Sequence, residues 1–438
     1  MTPGRILAAS ILAEVESGRR LDVAWEESGA AASPERAWIR TLAYGTVRLR
    51  GRIDHLLSRF SNRRLRELDP PVRTALRMGA FQITEMGGVP DYAAVSESVR
   101  QVRATGGRAA AGLVNAVLRR LARAPRGPDV FPDPETDPEG YLTTWGSHPG
   151  WLVRRWVRAF GPGGARALVE ANNREPEIFL WPIGADARDA ATVLAAAGLG
   201  AAAPQSCARG DRWIRLRPGT NPAAALELVP GTIQDPAASL VVRYCAPEPG
   251  SLVADLCAAP GGKALALSET AGGVVAGDLS QRRLARVAEG WRGLKAHGLE
   301  RARLWPVVAD ARFPPVREAD TVLVDSPCSG TGTFRRHPDG RWRLTPETIR
   351  TLVRVQSALL DGAASAVPRG GLLVYATCTL EPEENWCQVE SFLARHPGFR
   401  VEPGAGAKPC LDERGCLAVL PHESGFDGAF AARLRRVD

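Results

Sequence analysis

The sequence lacks long apolar runs. No stretch of the 438 residues approaches the roughly 18 uninterrupted apolar residues that a membrane-spanning helix needs. The N-terminal stretch MTPGRILAASILAEVESGRR contains a short apolar run that Glu14 interrupts. This pattern is typical of an amphipathic helix and not of a secretory signal peptide. We therefore expect a cytoplasmic protein without a membrane partner.

Closely spaced cysteine pairs are also missing. The chain has eight cysteines, but none of them forms a CxxC pair. Cys410 and Cys416 have no histidines nearby at the spacing of a zinc finger. Because no secretory signal is recognised, we expect the thiols to be reduced and free, as is usual in the cytosol. The sequence therefore predicts no bound metal.

Lysine is scarce, although the chain is basic. Only three of the 56 basic residues are lysines, and the formal net charge is +8. Two stretches with helical spacing, RTLAYGTVRLRGRIDHLLSRFSNRRLRELDPPVRTALRMG and NAVLRRLAR, carry far more basic than acidic residues. Such clusters favour a nucleic-acid partner, because arginine-rich surfaces attract phosphates. A merely solvated arginine surface is the alternative.

The length predicts two or three domains, and the residue patterns divide the chain into four segments. Residues 1–125 have apolar positions at helical spacing throughout, which predicts an all-α bundle. Residues 126–144 are rich in Pro, Gly and Asp without an apolar period, as expected for a linker. In residues 145–230, helical stretches and strands fit a small α+β unit of the ferredoxin-like kind.

Residues 231–438 alternate between short apolar runs and helical stretches. The runs SLVADL, GGVVAGD, ARLWPVVAD, TVLVDS and GGLLVYAT are nearly continuous, as in strands that are buried on both faces. Helical patterns such as SQRRLARVAEGWRGLKAHG lie between most of them. We therefore predict an α/β fold with a doubly wound parallel sheet, whose ligands bind beyond the carboxyl ends of the strands.

Candidate functional side chains follow these apolar runs one after another. The predicted strand ends carry Cys257, Asp278, Asp310, Asp325, Cys328 and Cys378. For a single acid, and for Asp310 in particular, the alternative is a cap at a helix N-terminus. The recurrence of such residues at consecutive strand ends favours a shared binding site.

The stretch DLCAAPGGK is glycine-rich, but it matches neither GxGxxG nor the phosphate loop GxxxxGK[ST]. Its Pro260, Gly261 and Gly262 indicate a tight turn whose backbone can approach a ligand closely. Asp278 follows at about the distance of twenty residues at which an acid commonly binds a ribose. Lys263 is informative because lysines are so rare in this chain. Together these residues favour a nucleoside cofactor without a pyrophosphate.

Three motifs, DLCAAPGGK, DSPCSGTGTFRRHPD and YATCTLEPEEN, resemble in order and spacing those of the RNA (cytosine-5) methyltransferases. The resemblance is closest to the Fmu/Sun type, which modifies small-subunit ribosomal RNA. LVNAVLRR and VRTALRMGAFQI resemble its NusB-like RNA-binding domain, and HPGWLVRRW with EANNREP resembles its middle segment. Two features depart from the family pattern: Thr379 replaces the usual serine, and the closing strand DGAFAARLRR is a weaker version.

The resemblance implies an enzyme that uses S-adenosylmethionine to methylate 16S ribosomal RNA. It implies a Rossmann-like catalytic domain in residues 231–438 and a NusB-like domain in residues 1–125, and we expect a monomer. The residues that it assigns to the cofactor site are Cys257, Ala258, Ala259, Pro260, Gly261, Gly262, Lys263, Asp278, Asp310 and Asp325.

By the same resemblance, Cys378 is the nucleophile, Cys328 assists product release, and Asp325 contacts N3 of the cytosine. Two thiols fit this chemistry, because carbon 5 of cytosine becomes nucleophilic only after a thiolate adds to carbon 6. A free thiol is only slightly ionised at neutral pH, so we expect the site to favour the thiolate of the nucleophile. For any single cysteine, simple burial is the alternative.

The stretch TFRRHPDGRWR offers further candidates. Arg335 and Arg336 are predicted phosphate contacts, whereas Trp342 is equally compatible with stacking on a base and with packing in a surface loop. Three other functions remain open. A DNA cytosine-5 methyltransferase would use Cys328 as its nucleophile, and an enzyme acting on transfer RNA would share all the core motifs. A non-enzymatic RNA-binding factor would need no thiols at strand ends.

Overall fold

The computed structural model describes residues 2–199, 201–202, 212–299, 303–404 and 410–438. The chain forms two compact units. The first, termed the helical unit, comprises Met1–Glu175 and Phe334–Arg343. The second, termed the α/β unit, comprises Pro176–Thr333 and Leu344–Asp438. None of the described helices is both long and apolar enough to cross a bilayer.

The described part of the helical unit is built from α-helices and short 3-10 turns. The α-helices are Pro3–Glu16 (α1), Leu21–Glu27 (α2), Arg36–Arg48 (α3), Arg50–Ser58 (α4), Pro70–Glu85 (α5), Asp91–Arg123 (α6), Pro138–Thr144 (α7), Gly150–Asn173 (α8) and Gly340–Arg343 (α14). Helices α1, α5 and α7 each begin with a proline, which has no N–H to leave unpaired in the first turn. Asp137 caps α7 by accepting a hydrogen bond from the Gly140 N–H.

A continuous apolar core stabilises the helical unit. Ile39, Leu42, Ile53 and Leu76 are almost completely buried and come from α3, α4 and α5. Burying a side chain of this size contributes about 1.5–3 kcal/mol relative to leaving it exposed. The all-α character that the sequence predicts for this region is confirmed.

The α/β unit begins with a small four-stranded sheet. Its elements are Phe179–Pro182 (β1), Ala187–Ala196 (α9), Ala201–Ala202 (β2), Ile214–Leu216 (β3), Pro222–Leu228 (α10) and Gly231–Ile233 (β4). The strand order is β2-β3-β1-β4, and the neighbouring strands are antiparallel. This β-α-β-β-α-β sequence of elements confirms the predicted ferredoxin-like segment.

An eight-stranded sheet forms the rest of the α/β unit. Its elements are Pro236–Cys245 (α11), Leu252–Asp255 (β5), Gly262–Leu267 (α12), Gly273–Asp278 (β6), Gln281–Ala296 (α13), Arg303–Val308 (β7), Thr321–Asp325 (β8), Pro346–Ala364 (α15), Leu372–Thr377 (β9), Trp386–Arg395 (α16), Phe399–Val401 (β10), Leu417–Val419 (β11), Pro421–Ser424 (α17) and Ala429–Arg436 (β12). The strand order is β10-β12-β9-β8-β5-β6-β7, and β11 pairs with β12. The predicted α/β class is therefore confirmed.

The sheet is parallel in its centre and antiparallel at one side. Strands β5 to β9 pair in parallel, and every residue of β6 and β9 is buried, which explains their continuous apolar sequences. The closing strand β12 pairs antiparallel with β9. Its Ala431, Ala432 and Leu434 are fully buried, so the weaker form of this strand still packs into the sheet.

The boundaries of the two compact units differ from the boundaries of the predicted domains. Helix α8, which falls in the predicted 145–230 segment, belongs to the helical unit and packs against α7. Helix α7 lies within residues 126–144, where the composition predicts a linker. Its Tyr141 and Leu142 are buried, and this tertiary packing stabilises a helix that the Pro-rich and Asp-rich composition disfavours.

Candidate active site

The predicted strand-end residues meet along one edge of the large sheet. Because β5, β6, β8 and β9 are parallel, their carboxyl ends share that edge. The register pairs Asp255 with Ala276 and Leu323, and it pairs Asp325 with Ala376. The chain adds β6 and β7 on one side of β5, and then β8 and β9 on the other. The winding thus changes direction between β5 and β8, where open α/β sheets bind their ligands.

The turn after β5, Cys257–Lys263, connects this edge to α12. Gly261 has a φ of 115°, a conformation that side chains with a Cβ rarely adopt. A Cβ at this position would also lie only 3.1 Å from Val287. The Ala259–Pro260 peptide bond is cis. The structure therefore contains the tight turn that the sequence predicts, and only glycine fits it without strain.

Lys263 and Asp325, two of the predicted site residues, form an ion pair. The Nζ atom of Lys263 lies 2.6 Å from Oδ2 of Asp325. Burial lowers the pKa of Lys263, but the charge and hydrogen bond of Asp325 together with the charge of Asp255 raise that pKa above its ordinary value. Cys257 lies nearby, and burial together with the charge of Asp255 raises the pKa of its thiol. Cys257 therefore stays protonated and is a poor nucleophile.

Asp255, the last residue of β5, is an acid that sequence reasoning did not identify. Its side chain is fully buried, and neither carboxyl oxygen makes a well-formed hydrogen bond with a described residue, although the backbone N–H of Cys257 acts in the direction that lowers its pKa. Burial, followed by the charge of Asp325, raises the pKa of Asp255 to about 7. Its place at a strand end, two residues before Cys257, was the available signal. An unpaired buried carboxyl group at this edge fits a ligand that donates hydrogen bonds or carries positive charge.

The other two predicted acids differ in their surroundings. Asp278 ends β6 and is only 5% exposed, and its Oδ1 accepts a hydrogen bond from the Ser280 N–H at 2.9 Å. Asp310 lies at the surface, where Arg312 binds its carboxylate at 2.5 Å and lowers its pKa. Within the described ranges, no group of three or more His, Cys, Asp or Glu side chains could hold a metal ion.

The two cysteines of the sequence motifs face each other. Cys328 and Cys378 lie in the loops after the adjacent strands β8 and β9, and their Sγ atoms are 3.4 Å apart. The backbone N–H of Cys378 also donates to Sγ of Cys328 at 3.3 Å. The side-chain hydrogen bond with Cys378, followed by burial, raises the pKa of Cys328 well above its ordinary value. Cys328 is therefore a protonated thiol at neutral pH.

Glu384 connects the two cysteine loops through hydrogen bonds. Sequence reasoning did not identify this residue. Its carboxylate is fully buried and accepts hydrogen bonds from the Ser329 N–H at 2.8 Å and the Thr379 hydroxyl at 3.0 Å. The Ser329 hydroxyl bonds to the same carboxylate. Ser329 follows Cys328 and Thr379 follows Cys378, so a single carboxylate binds the next residue of both thiols. The acid-rich sequence LEPEEN has three glutamates, of which Glu381 and Glu384 are buried, but no local pattern distinguishes them from the third.

Close backbone contacts reinforce this arrangement. The Gly332 N–H donates to the Cys378 carbonyl at 3.0 Å, and the Gly428 N–H donates to the Gly332 carbonyl at 2.7 Å. A Cβ at Gly332 would lie 2.7 Å from the Cα of Gly428 and 2.8 Å from the Cys378 oxygen. The small residues of the Cys328 loop therefore allow it to pack against the Cys378 loop and the start of β12.

The arginines that follow the Cys328 motif belong to the helical unit. Arg335 is 8% exposed, and its carbonyl accepts a hydrogen bond from Arg48. The indole N–H of Trp342 donates to the Val47 carbonyl at 2.8 Å, and its ring packs against the helical core. Trp342 is thus used for packing, which decides the question that the sequence leaves open. Phosphate contacts by Arg335 and Arg336 stay predictions.

Comparisons with known proteins agree with this geometry. Residues 242–435 match the family described as 16S rRNA methyltransferase RsmB/F, and residues 2–123 match the NusB family. The chain is 34% identical over 419 residues to the probable ribosomal RNA small subunit methyltransferase B of a Synechocystis species, and the match covers 92% of each chain. It is 35% identical over 451 residues to the ribosomal RNA small subunit methyltransferase B of Thermus thermophilus, covering 99% of this chain and 98% of the relative.

Two solved structures share the fold. The crystal structure of PH0851 has a TM-score of 0.80 at 24% identity and covers 99% of both chains. The structure of NSun6 from Pyrococcus horikoshii with SFG has a TM-score of 0.54 at 20% identity, and covers 66% of this chain and 98% of the other. At these identities the two structures indicate a common architecture only.

Proposed function

Because the chain belongs to the 16S rRNA methyltransferase RsmB/F family, we propose that it methylates carbon 5 of a cytosine in 16S ribosomal RNA, with S-adenosylmethionine as the methyl donor. The observation that carries this proposal is the pair of thiols at the sheet edge, whose Sγ atoms lie 3.4 Å apart. Methylation at carbon 5 needs a thiolate that first adds to carbon 6 and is later expelled. A second thiol beside the first suits the expulsion step.

Cys378 is the proposed nucleophile. Its thiolate forms a bond to carbon 6 of the cytosine, which makes carbon 5 electron-rich and able to accept a methyl group. Asp325, at the end of the neighbouring strand, contacts the N3 edge of the base and favours its protonated form. After transfer, carbon 5 carries both the methyl group and its original hydrogen. That hydrogen leaves as a proton to solvent, and the bond between carbon 6 and sulfur breaks to return the thiolate.

Cys328 is the proposed release group. Its sulfur lies within hydrogen-bonding distance of the Cys378 sulfur, which is the leaving atom in the last step. Its raised pKa keeps it in the thiol form, and a thiol can donate a hydrogen bond to a departing thiolate. A thiol with a raised pKa is a poor nucleophile, which argues against the DNA-type mechanism, in which Cys328 would attack the base.

The residues at the sheet edge fit a cationic nucleoside cofactor. Asp278, at the end of β6, is placed to accept hydrogen bonds from ribose hydroxyls. The two unpaired oxygens of Asp255 suit a positively charged, hydrogen-bond-donating group. The turn Cys257–Lys263 offers backbone groups close to the edge, and Asp310 is the outermost acid of the predicted set. When bound, S-adenosylmethionine supplies an electrophilic methyl group.

Variants of the two cysteines test the mechanism. Cys378→Ala is expected to abolish methylation and to form no covalent RNA adduct, while cofactor binding persists. Cys328→Ala is expected to form the adduct and then to stall, so that a protein–RNA complex accumulates in denaturing gels when S-adenosylmethionine is present. Cys387→Ala is the control, since this cysteine is exposed on α16. An adduct that is lost in the Cys328 variant and retained in the Cys378 variant would reverse the assignment.

The substrate requires a separate measurement. Bisulfite sequencing of total RNA from a strain without the protein should show one 16S cytosine that has lost its methyl group. The wild-type chain should restore the methyl group in that strain, and Cys378→Ala should not. If a transfer RNA lost its methyl group instead, the proposed chemistry would be retained, but the substrate would be transfer RNA.

A further inference from the structure

A groove on the helical unit lies outside the sheet-edge site. The two arms of α6 line it, and its volume is about 590 Å³. Gly107, with a φ of 76°, separates the arms, which comprise residues 91–106 and 108–123. We call this feature the α6 groove. The lining residues that matter for its chemistry are Tyr92, Val99, Arg100, Arg103, Arg119 and Arg123.

The α6 groove carries positive charge that the protein does not neutralise. Arg103, Arg119 and Arg123 are exposed, and none of them forms an ion pair with a described residue. Other arginines of the helical unit are saturated, as Arg77 is by ion pairs with Glu16 and Asp54. The one acid that lines the groove, Asp91, is paired with Arg126, so the arginines dominate the charge of this concave surface and attract a polyanion.

An exposed aromatic ring lies at one end of the α6 groove. Tyr92 is 78% exposed, which is the largest exposure among the large hydrophobic side chains of the described residues. The nearby Val95 and Val99 are largely buried and form an apolar floor. A flat ring beside arginines is the combination on which single-stranded RNA stacks its bases while its phosphates are neutralised. An acidic protein segment would use the arginines but would leave the ring unexplained.

We propose that the α6 groove binds a single-stranded stretch of RNA, with phosphates on Arg103, Arg119 and Arg123 and a base stacked on Tyr92. The inference rests on the proposed function for the identity of the RNA as a ribosomal substrate. It adds a contact site that is separate from the methyl-transfer chemistry. Because the contacts are to phosphates and to one base face, they supply affinity and little sequence preference.

Paired arginine variants of the full-length protein test the phosphate contacts. The double variant Arg119→Gln/Arg123→Gln should flatten the plot of log affinity for a labelled single-stranded RNA against log salt. The expected change in slope is about 1.4, since each lost phosphate contact on a single strand removes about 0.7. The control is Arg154→Gln/Arg158→Gln, which removes the same charge from exposed positions of α8 in the same unit, outside the groove and outside both basic stretches. Its slope should stay within error of wild type.

Tyr92 variants test the stacked base. Tyr92→Ala should weaken RNA affinity by about 5- to 150-fold, the range measured for removing one stacking partner. Tyr92→Phe keeps the ring and should bind as wild type does. Equal slopes for the groove and control pairs, or equal affinities for Tyr92→Ala and Tyr92→Phe, would overturn the proposal. An acidic peptide that competes with RNA only in the wild-type groove, without an effect of Tyr92→Ala, would assign it to a protein partner.

Methylation separates this proposal from the proposed function. At saturating RNA, the groove variants should keep the wild-type kcat, because the thiols and the cofactor site are unchanged. If the groove variants bind RNA normally while the wild type methylates it, the groove proposal is wrong and the proposed function is retained. If the wild type binds RNA through the groove and never methylates it, the proposed function is wrong and the groove proposal is retained.

Glu384 carries a second inference on independent contacts. We propose that Glu384 is a positioning residue, which sets the distance between the two thiols by binding the residue after each of them. Its two oxygens accept from Ser329, Thr379 and the side-chain amide of Gln356. The Gln356 amide also donates to the carbonyl of Pro327, directly before Cys328. The carboxylate is therefore the common acceptor of both loops, and it touches neither sulfur.

The rate of bond formation to carbon 6 measures this role. Glu384→Gln replaces one acceptor oxygen by a donor and should slow adduct formation by about 100-fold, because small misplacements of reacting groups have effects of that size. The KM for RNA and the affinity for S-adenosylmethionine should stay unchanged. Gln388→Ala is the control, because Gln388 is equally buried and contacts Val353 and Gln356 but neither cysteine loop.

A conservative pair keeps this proposal testable if Glu384 variants fail to fold. Thr379→Ser retains the hydroxyl that bonds Glu384 and should keep the wild-type rate, whereas Thr379→Val should slow adduct formation in the same way as Glu384→Gln. The pH profile of Cys378 alkylation should shift in the Val variant and not in the Ser variant. Equal rates and equal pH profiles for the Ser and Val variants would show that Glu384 only stabilises the fold.

Discussion

Arg341 of the helical unit and Asp255 of the α/β unit are both buried and form no ion pair with a described residue, but their surroundings differ. Arg341 in the helical unit is fully buried, and five oxygens lie within hydrogen-bonding distance of its Nη atoms. Burial, followed by the charge of Arg48, lowers the pKa of Arg341. Asp255 in the α/β unit is equally buried, yet neither of its oxygens makes a well-formed hydrogen bond in the described ranges, and the Cys257 N–H lowers its pKa less than burial raises it.

This difference in hydrogen bonding indicates that the charge of Arg341 has a structural role and that the charge of Asp255 has a functional one. The oxygens around Arg341 are four backbone carbonyls and the amide of Asn173, which join α3, α8 and the Phe334–Arg343 segment. Such a cation, whose two Nη atoms are paired while its buried Nε has no partner among the described residues, stabilises the packing of chain segments. An unsaturated buried carboxyl group destabilises the free protein and is retained where a ligand supplies the missing partner. This contrast yields three predictions.

Removal of Arg341 should have the largest effect. Arg341→Ala removes the hydrogen bonds to five acceptors and opens a cavity, so we expect the local free energy of unfolding to fall by about 3–5 kcal/mol. Hydrogen exchange of peptides from α8 and from residues 334–343 measures this change in the full-length chain. Arg343→Ala, on the same short helix but 41% exposed, should lose less than about 1 kcal/mol. Equal losses in both variants would contradict a structural role specific to Arg341.

Asp255 should make stability depend on pH in a defined direction. Its native pKa of about 7 lies above its ordinary value of 3.8, so the folded state binds the proton more tightly than the unfolded state. The stabilisation is complete below about pH 4 and is lost as the pH rises through about 7, with an upper limit of about 4 kcal/mol. Lys263, Asp325 and Asp278 are the charged neighbours that act on this pKa.

Asp255→Asn tests this dependence in cofactor-free protein. The variant should flatten the fall in stability between about pH 5 and 7, and it should be more stable than wild type at pH 8. Urea denaturation at a series of pH values measures both effects. Asp320→Asn is a suitable control, because Asp320 precedes β8 at the opposite end of the strands. If the unfolding stability of the wild type rose from pH 5 to 7 in parallel with that of the variant, Asp255 would not be the source of the pH dependence.

Asp278 should show the smallest of the three effects. It is nearly as buried as Asp255, but Ser280 already satisfies one of its oxygens. We expect Asp278→Ala to weaken S-adenosylmethionine binding by about 1.5–3 kcal/mol, the range for hydrogen bonds to charged groups. Isothermal calorimetry measures this change. The same titration of Asp310→Ala shows which of the two acids contributes more to cofactor affinity. A larger loss of affinity for Asp310→Ala would show that the surface acid is the one that binds the ribose.

Much of the fold could be predicted because it depends on local patterns. The apolar runs that end at Asp278 and Asp325 identify β6 and β8, since strands buried on both faces must be continuously apolar. The helical spacing of apolar residues before residue 125 identifies the bundle, because a helix that packs on a core is apolar along one face. The motif spacing also located the thiols at two strand ends, and the parallel register then brings Cys328 and Cys378 together.

Other features could not be predicted because they depend on contacts between distant segments. The composition of residues 126–144 indicates a linker, yet α7 forms there because α8 buries its apolar side chains. The sequence left Trp342 open between base stacking and packing, and only the structure shows that its ring packs against the helical core. Asp255 and Glu384 were passed over, since nothing in a local pattern distinguishes a buried acid from an exposed one.

The sequence by itself determined the helical class of residues 1–125, the α/β class of residues 231–438, the order of the strands along the chain and the family motifs, because these depend on residue periodicity and spacing. Only the tertiary structure decided which charges are saturated and which are left unpaired. Arg341 is surrounded by carbonyls from residues more than 160 positions away, and Glu384 binds residues of two separate loops. Burial and hydrogen bonding of a polar group are properties of its surroundings, and folding assembles those surroundings from segments that lie far apart in the chain.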